Sequence, residues 1–373
     1  MIPISEPDLG PLERRYLLDA FDSGWISSLG PYIERSETAL RAVAGARHAA
    51  VVSNGTTALH LALLALNVGP GDEVIVPATT YVATLNAVLY VGATPVIVDV
   101  KTDTWCIDPL AVEAAISDRS RAIIAVDLYG HPADYDALAV IGTRHGIAIV
   151  ADAAESLGGS LSGRPVGSLA DISTFSFFGN KVVTCGEGGA ITTNDPEIDR
   201  KIRQLRNQGN HPDVRYYHEV LGYNYRMTNL SAAILTAQLE RVSDLIASRK
   251  RVIGWYSHLL ENRSDIVPQG SSSRAQASPW MFSLELAGAT EPLRDTVILR
   301  MRGAGVETRP VFRALQQMPY LLGAQGIETP NATRLARCGI SLPTYPGLDR
   351  SGVEHVVESL ISAVDAVHQL GHA

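Results

Sequence analysis

Ser176-Phe177-Phe178-Gly179-Asn180-Lys181-Val182-Val183-Thr184-Cys185-Gly186-Glu187-Gly188-Gly189 ends an apolar run, sets one lysine among apolar residues and closes on a glycine turn. Burial disfavours the ammonium form and lowers a lysine's pKa, leaving a neutral amine able to attack a carbonyl. Most lysines extend to solvent instead, so Lys181 carries chemistry only if the rest of a site exists elsewhere in the chain. Working outward, Ile172–Phe177 and Gly189–Thr193 read as strands. The same Val- and Ile-rich texture recurs at Ala49–Ser53, Glu73–Pro77, Pro95–Val100, Ala122–Leu128 and Ile147–Asp152. Helical patterns at Thr57–Asn67, Pro109–Ser117 and Ala133–His145 lie between them. Strands alternating with helices predict an α/β fold whose mostly parallel sheet is covered on both faces.

The bulk composition narrows the class. A chain of 373 residues has room for a large domain and a smaller one. The net charge of −8 argues against a nucleic-acid footprint. Cys106, Cys185 and Cys338 have no paired spacing, so neither a disulfide framework nor a metal site is expected. No signal-peptide pattern and no long uninterrupted apolar run occur, which predicts a cytoplasmic protein away from membranes. From Arg206 to Arg226 the chain is polar and aromatic and reads as a long ordered loop. One long helix is expected next. Leu235, Leu239, Val242 and Ile246 share its face, and Arg249-Lys250-Arg251 near its end would suit the helix dipole. A boundary near 250 divides a large domain, 1–250, from a small C-terminal α+β domain, 251–373. The latter would hold a strand at Met281–Leu286 and helices at Pro292–Ala304 and Gly352–Leu370.

Residues able to act with Lys181 lie at the ends of the expected strands. Val51-Val52-Ser53-Asn54-Gly55-Thr56-Thr57-Ala58-Leu59-His60 runs from strand through a small-residue turn into a helix start, where free backbone amides and hydroxyls make an anion cup. The same turn also reads as an ordinary capped helix start. It carries neither a Walker lysine nor a G-x-G-x-x-G pattern, which argues against a dinucleotide-dependent dehydrogenase. Asp152 closes a central strand and would face the crevice where parallel sheets bind ligands, or simply cap the following helix. Glu155 lies three residues on. Tyr81 follows another strand end and could stack on a flat ring or sit in the core, while Ser176 could donate to a phosphate. Together, a phosphate cup, a stacking aromatic, a strand-end acid and a lysine before a glycine turn match what pyridoxal phosphate needs.

Several motifs carry a resemblance beyond these residues. They are Gly24-Trp25-Ile26-Ser27-Ser28-Leu29-Gly30-Pro31, Ser53-Asn54-Gly55-Thr56-Thr57-Ala58-Leu59, Tyr129-Gly130-His131-Pro132-Ala133-Asp134 and Asp152-Ala153-Ala154-Glu155-Ser156. The Ser176–Gly189 block, Gly222-Tyr223-Asn224-Tyr225-Arg226-Met227-Thr228-Asn229 and Glu307-Thr308-Arg309-Pro310 continue it. Over essentially its whole length the chain resembles the DegT-type nucleotide-sugar aminotransferases, with the fold type I, aspartate-aminotransferase-like architecture. Phe177-Phe178-Gly179-Asn180-Lys181, the Gly24–Ser28 entry and Pro279-Trp280-Met281 are most similar to perosamine synthases, which aminate C4 of a nucleotide-linked 4-keto-6-deoxy sugar.

The resemblance implies a pyridoxal 5'-phosphate enzyme with Lys181 as covalent anchor and proton shuttle. It implies Asp152 at the pyridine nitrogen, Glu155 near the 3-hydroxyl, Tyr81 stacked on the ring, and Gly55, Thr56 and Ser176 on the phosphate. Asn224 would reach the phosphate of a neighbouring subunit, making a homodimer with shared sites. Arg226 and Arg309 would meet anionic groups of L-glutamate or the sugar diphosphate. Trp25, Ser27 and Ser28 fall in the substrate-proximal loop, and His218 could supply an imidazole. Where the family commonly has an aromatic-Pro-Leu-His run, this chain has Arg313-Ala314-Leu315-Gln316, a departure that bears on the sugar and not on the cofactor. Amination at C3, a keto-cyclitol substrate, or a non-catalytic pyridoxal-binding regulator are the alternatives.

Overall fold

The computed structural model describes residues 1–321 and 328–371. Seven strands form the main sheet in the spatial order His48–Val52, Gly189–Thr193, Ile172–Ser176, Ala148–Asp152, Ser120–Val126, Glu73–Pro77, Thr94–Val98. Gly189–Thr193 is antiparallel to both neighbours, and the other pairings are parallel. Successive side chains of a strand face opposite sides, and here both sides are apolar. Val74, Val76, Ile124 and Val150 join one core with helices Gly55–Ala65 and Ala83–Tyr90. Ile75, Ile123, Ala125 and Ile149 join another with helices Pro109–Ala115 and Tyr135–His145. This double coverage is why the strands read as continuous apolar runs.

Capping sets where the flanking helices begin. Asn54 Oδ1 accepts the Thr57 amide at 2.9 Å, so the first helix starts at Gly55, earlier than the apolar pattern indicates. Asp134 accepts the Ala137 amide and delays the other start to Tyr135.

The single long helix expected after residue 228 is two helices, Asn229–Glu240 and Val242–Leu260. They break at Arg241, whose φ of −103° and ψ of 6° leave helical values. Its guanidinium is held by Asp8 and Glu13, each at 2.7 Å. Nor do Arg249-Lys250-Arg251 complement a helix C-terminus. They lie mid-helix, and Arg249 is buried. Residue 250 falls inside Val242–Leu260. On that helix Leu245 packs in the core beside the large sheet, and Val252, Tyr256 and Leu260 pack in that of a smaller one.

The smaller sheet is antiparallel, in the order Ile266–Pro268, Phe282–Leu286, Gly339–Leu342, Arg309–Pro310. Helices Val242–Leu260, Glu291–Gly303 and Arg350–Gly371 share its core. The N-terminal segment joins it, with an Ile2–Val306 bridge and the Ile4 amide donating to Glu307. No described helix is long and apolar enough to cross a membrane.

Candidate active site

The carboxyl ends of the parallel strands open on one edge, as the switch-point rule for such sheets requires. There a cavity of about 450 Å³ is lined by Gly55, Thr56, Tyr81, Asp152, Glu155, Ser176, Lys181 and Arg309, so eight candidates far apart in sequence converge. A larger hollow of about 720 Å³ lies at the opposite ends of the strands, around Ile147, Asp171 and Asn194, and its lining holds no lysine or arginine.

Lys181 sits in the loop between Ile172–Ser176 and Gly189–Thr193, its amide donating to Phe178 O at 2.9 Å. Its side chain is 13% exposed. Nζ lies 3.7 Å from Glu155 Oε1 and 3.8 Å from the centroid of the Trp280 ring. Burial pushes the lysine pKa down, while the charges of Glu155 and Asp152 pull it back up. Burial likewise pushes Glu155 up to about 7, opposed by Lys181 and by the Tyr129 amide, which donates to Oε2 at 2.7 Å.

Asp152, at the end of its strand, is buried. Thr84 Oγ1 donates to Oδ2 at 2.7 Å and the Ala154 amide reaches Oδ1 at 3.3 Å. Desolvation raises its pKa against those two donors and Lys181. Its neighbour Asp127 is also buried and pushed up to about 7 by burial. Asp127 accepts from Ser156, Tyr135 and Ala133 and does not line the cavity.

The cup at the helix start is built by close approach. Thr57 and Ala58 amides are taken by Asn54, while among the described residues nothing accepts from the amides of Gly55 and Thr56. A Cβ on Gly189 would come 2.4 Å from the Asn54 carbonyl, and one on Gly55 would come 3.0 Å from Ser176 Cβ. Two free amides at a helix N-terminus beside a serine hydroxyl suit a phosphate dianion. A buried carboxylate suits a pyridinium, and a desolvated amine suits an aldehyde. This donor set fits pyridoxal phosphate.

Four residues at the site were given no role there by the sequence, although Tyr129 and Trp280 stand in motifs that carry the resemblance. Thr84 is the hydroxyl donor to Asp152. Tyr129 takes the left-handed backbone region at φ 52°, which is costly for a non-glycine residue. Its ring stacks with Trp280 at 5.8 Å and Phe312 at 5.5 Å. Trp280 and Phe312 come from C-terminal segments, and no local signal marks a ring that packs across the chain. Among these four, only Tyr129 lies beside a residue whose turn chemistry hints at a special conformation, Gly130, the two having successive positive φ values.

The remaining candidates lie outside this cavity. Trp25 and Ser27 are exposed, their carbonyls accepting from Asn229 at 2.7 and 2.6 Å. Ser28 Oγ accepts from Arg226 Nε at 3.0 Å, and Arg226 also holds Asn207 at 2.6 Å. His218 is exposed and bonded to Gln208 O, and Asn224 is exposed. Gln316 donates to Thr329 and does not line the cavity.

Comparison with known proteins agrees with this geometry. The model of the DegT/DnrJ/EryC1/StrS aminotransferase family matches residues 7–361. The chain belongs to that family. It is 43% identical to the GDP-perosamine synthase of Caulobacter vibrioides over 96% of this chain and 97% of that one. To the GDP-perosamine synthase of Vibrio cholerae it is 40% identical over 95% and 97%. A Streptococcus pneumoniae chain described as a sugar aminotransferase, solved in its PMP form, superposes with a TM-score of 0.95 at 30% identity, covering 100% of both chains. The protein is therefore a pyridoxal phosphate-dependent sugar aminotransferase of fold type I.

Proposed function

We propose that the enzyme moves the amino group of L-glutamate to C4 of a nucleotide-linked 4-keto-6-deoxy sugar. The observation that carries this is the desolvated Lys181 amine beside Glu155 and Asp152, in a chain 43% identical to a GDP-perosamine synthase over nearly its whole length. Bound pyridoxal phosphate supplies an aldehyde for the lysine and a ring that accepts electrons from the carbon losing its proton. The protein does the rest. Lys181 Nζ would take the proton from Cα of glutamate and pass it to the cofactor's aldehyde carbon, and in the return half it would move a proton from that carbon to the sugar carbon that gains the amine. A lysine that alternates between base and acid needs a pKa drawn toward neutrality, and burial draws it that way. With the cofactor bound, Asp152 would hold the proton on the ring nitrogen, Glu155 would lie on the 3-hydroxyl side, and Tyr81 would cover the ring. Gly55, Thr56 and Ser176 would bind the phosphate.

Arg309, half-exposed at the cavity and paired with Glu307 at 3.3 Å, is placed to exchange that partner for a substrate anion. Asn224, Arg226, Trp25, Ser27, Ser28 and His218 would serve the cavity of a second copy in a homodimer. The aromatic side chains left exposed at Trp25, Tyr81 and Phe178 favour such a partner. The test is a panel of 4-keto and 3-keto nucleotide sugars offered with glutamate or glutamine. Release of 2-oxoglutarate with a 4-keto-6-deoxy sugar is expected. Release only with 3-keto sugars, or with none, overturns the assignment.

A further inference from the structure

Trp280 touches the reacting amine, and the surrounding chain is arranged to keep it there. The indole is 4% exposed, with its ring centroid 3.8 Å from Lys181 Nζ. Its Nε1 donates to Asn180 O at 2.9 Å, so the ring is tied to the residue before the lysine. Behind both lies Arg249, 1% exposed, whose guanidinium donates to Trp280 O at 2.9 Å, Thr344 O at 2.7 Å and Lys181 O at 3.3 Å. No carboxylate pairs with it among the described residues, and its Nε has no partner there. Burial alone pushes this arginine down to about 10. A buried guanidinium bonded to main-chain oxygens is costly, and here it locks the main chain of Lys181 to that of Trp280.

We propose that Trp280 is the resting face of the Lys181 ammonium: once the freed amine has taken up a proton, it lies on the indole beside Glu155, in a register held by Arg249. The inference rests on the lysine chemistry and is independent of which sugar is used. Two groups favour the charged amine, the π face and the Glu155 carboxylate. Asp152 adds its charge from the strand end, while Glu187 and Arg309 line the same cavity and Arg249 stands behind. Such a position holds the proton on the lysine between the carbon it leaves and the carbon it is passed to, and keeps the charge away from water. Trp280 is thereby a catalytic group, and Arg249 a positioning residue.

The test uses the full chain loaded with pyridoxamine phosphate, where Lys181 is free, and needs no sugar. Trp280 is replaced by mono-, di-, tri- and tetrafluorotryptophan, which keep its shape while draining charge from the ring face. Trace acetylation of Lys181 across a pH series, read by mass spectrometry, gives the pKa of the amine. A desolvated cation–π contact predicts a stepwise fall of about one pH unit along the series. A flat series, or a rise with fluorination, overturns the proposal, because a ring that only fills space would leave the amine's proton affinity unchanged. Failure of every sugar in the panel above would leave this result untouched.

Discussion

Replacing Lys181 by Met should make the stability of the cofactor-free chain depend on pH through one buried carboxyl group. Glu155 is 6% exposed, and with Lys181 at 3.7 Å burial already pushes it up to about 7 from an ordinary 4.5. Without the lysine its folded-state pKa is at least that high. The sign follows directly. Below 4.5 the group is protonated in both states and nothing is lost. Above it the unfolded chain ionises while the folded chain holds its proton, so stability falls by about 1.4 kcal/mol per pH unit until the folded pKa is reached. From 4.5 to 7 this amounts to a loss of about 3 kcal/mol. Lys181→Met/Glu155→Gln removes the titrating group and serves as reference, cancelling Asp152 and every other site. Urea unfolding of the two variants between about pH 5 and 8, at constant m, measures the difference. It should open by about 3 kcal/mol as the pH rises. A difference that stays level across this range would refute the claim that Glu155 is a desolvated partner of the lysine.

Thr84→Val removes the 2.7 Å donor to Asp152 and should destabilise the chain by about 1.5–3 kcal/mol, the range for a hydrogen bond to a charged group. Because burial raises the Asp152 pKa and Thr84 favours its ionised form, the loss should be larger at high pH than at low pH. A pH-independent loss in urea titrations would point to packing instead. Gly189→Ala puts a Cβ 2.4 Å from the Asn54 carbonyl, where only main-chain atoms could give way. Cofactor titration followed by fluorescence should show affinity weakened about tenfold or more, since a loss of about 1.4 kcal/mol at the phosphate cup suffices. Gly179→Ala, whose Cβ meets nothing within 4 Å, is the control expected to stay close to the parent.

What could be read from the sequence follows the physics of short range. Apolar runs located every strand of the large sheet because burial on both faces leaves an uninterrupted pattern, and strand ends then located Asp152 and the Gly55 cup. Lys181 stood out because an amine among apolar residues contradicts its own preference. Trp280 and Lys181 meet from segments about a hundred residues apart, and nothing in the residues around either one encodes that meeting. Arg249 misled for a related reason: within a basic triplet it resembles a solvated helix end, whereas carbonyls from three distant segments make it an interior group. The break at Arg241 was hidden because Leu235, Leu239, Val242 and Ile246 keep helical spacing across it. Asp8 and Glu13, more than two hundred positions away, hold the residue at the break.

The reversed direction of Gly189–Thr193 bears on how this enzyme can be re-engineered. The segment 177–188 leaves and re-enters the sheet at the same edge, with Ser176 opposite Gly189 and the Phe177 amide donating to Gly188 O at 2.8 Å. A parallel return would have needed a crossover passing over one face. The hairpin return fastens both ends of the lysine's tether to the sheet. Chain length there is therefore a design constant: one inserted residue would shift the anchor point of the amine while leaving the strands intact. Libraries that vary loop length should place their insertions outside this tether. The tether at 177–188 should be kept at its native length in every member of such a library.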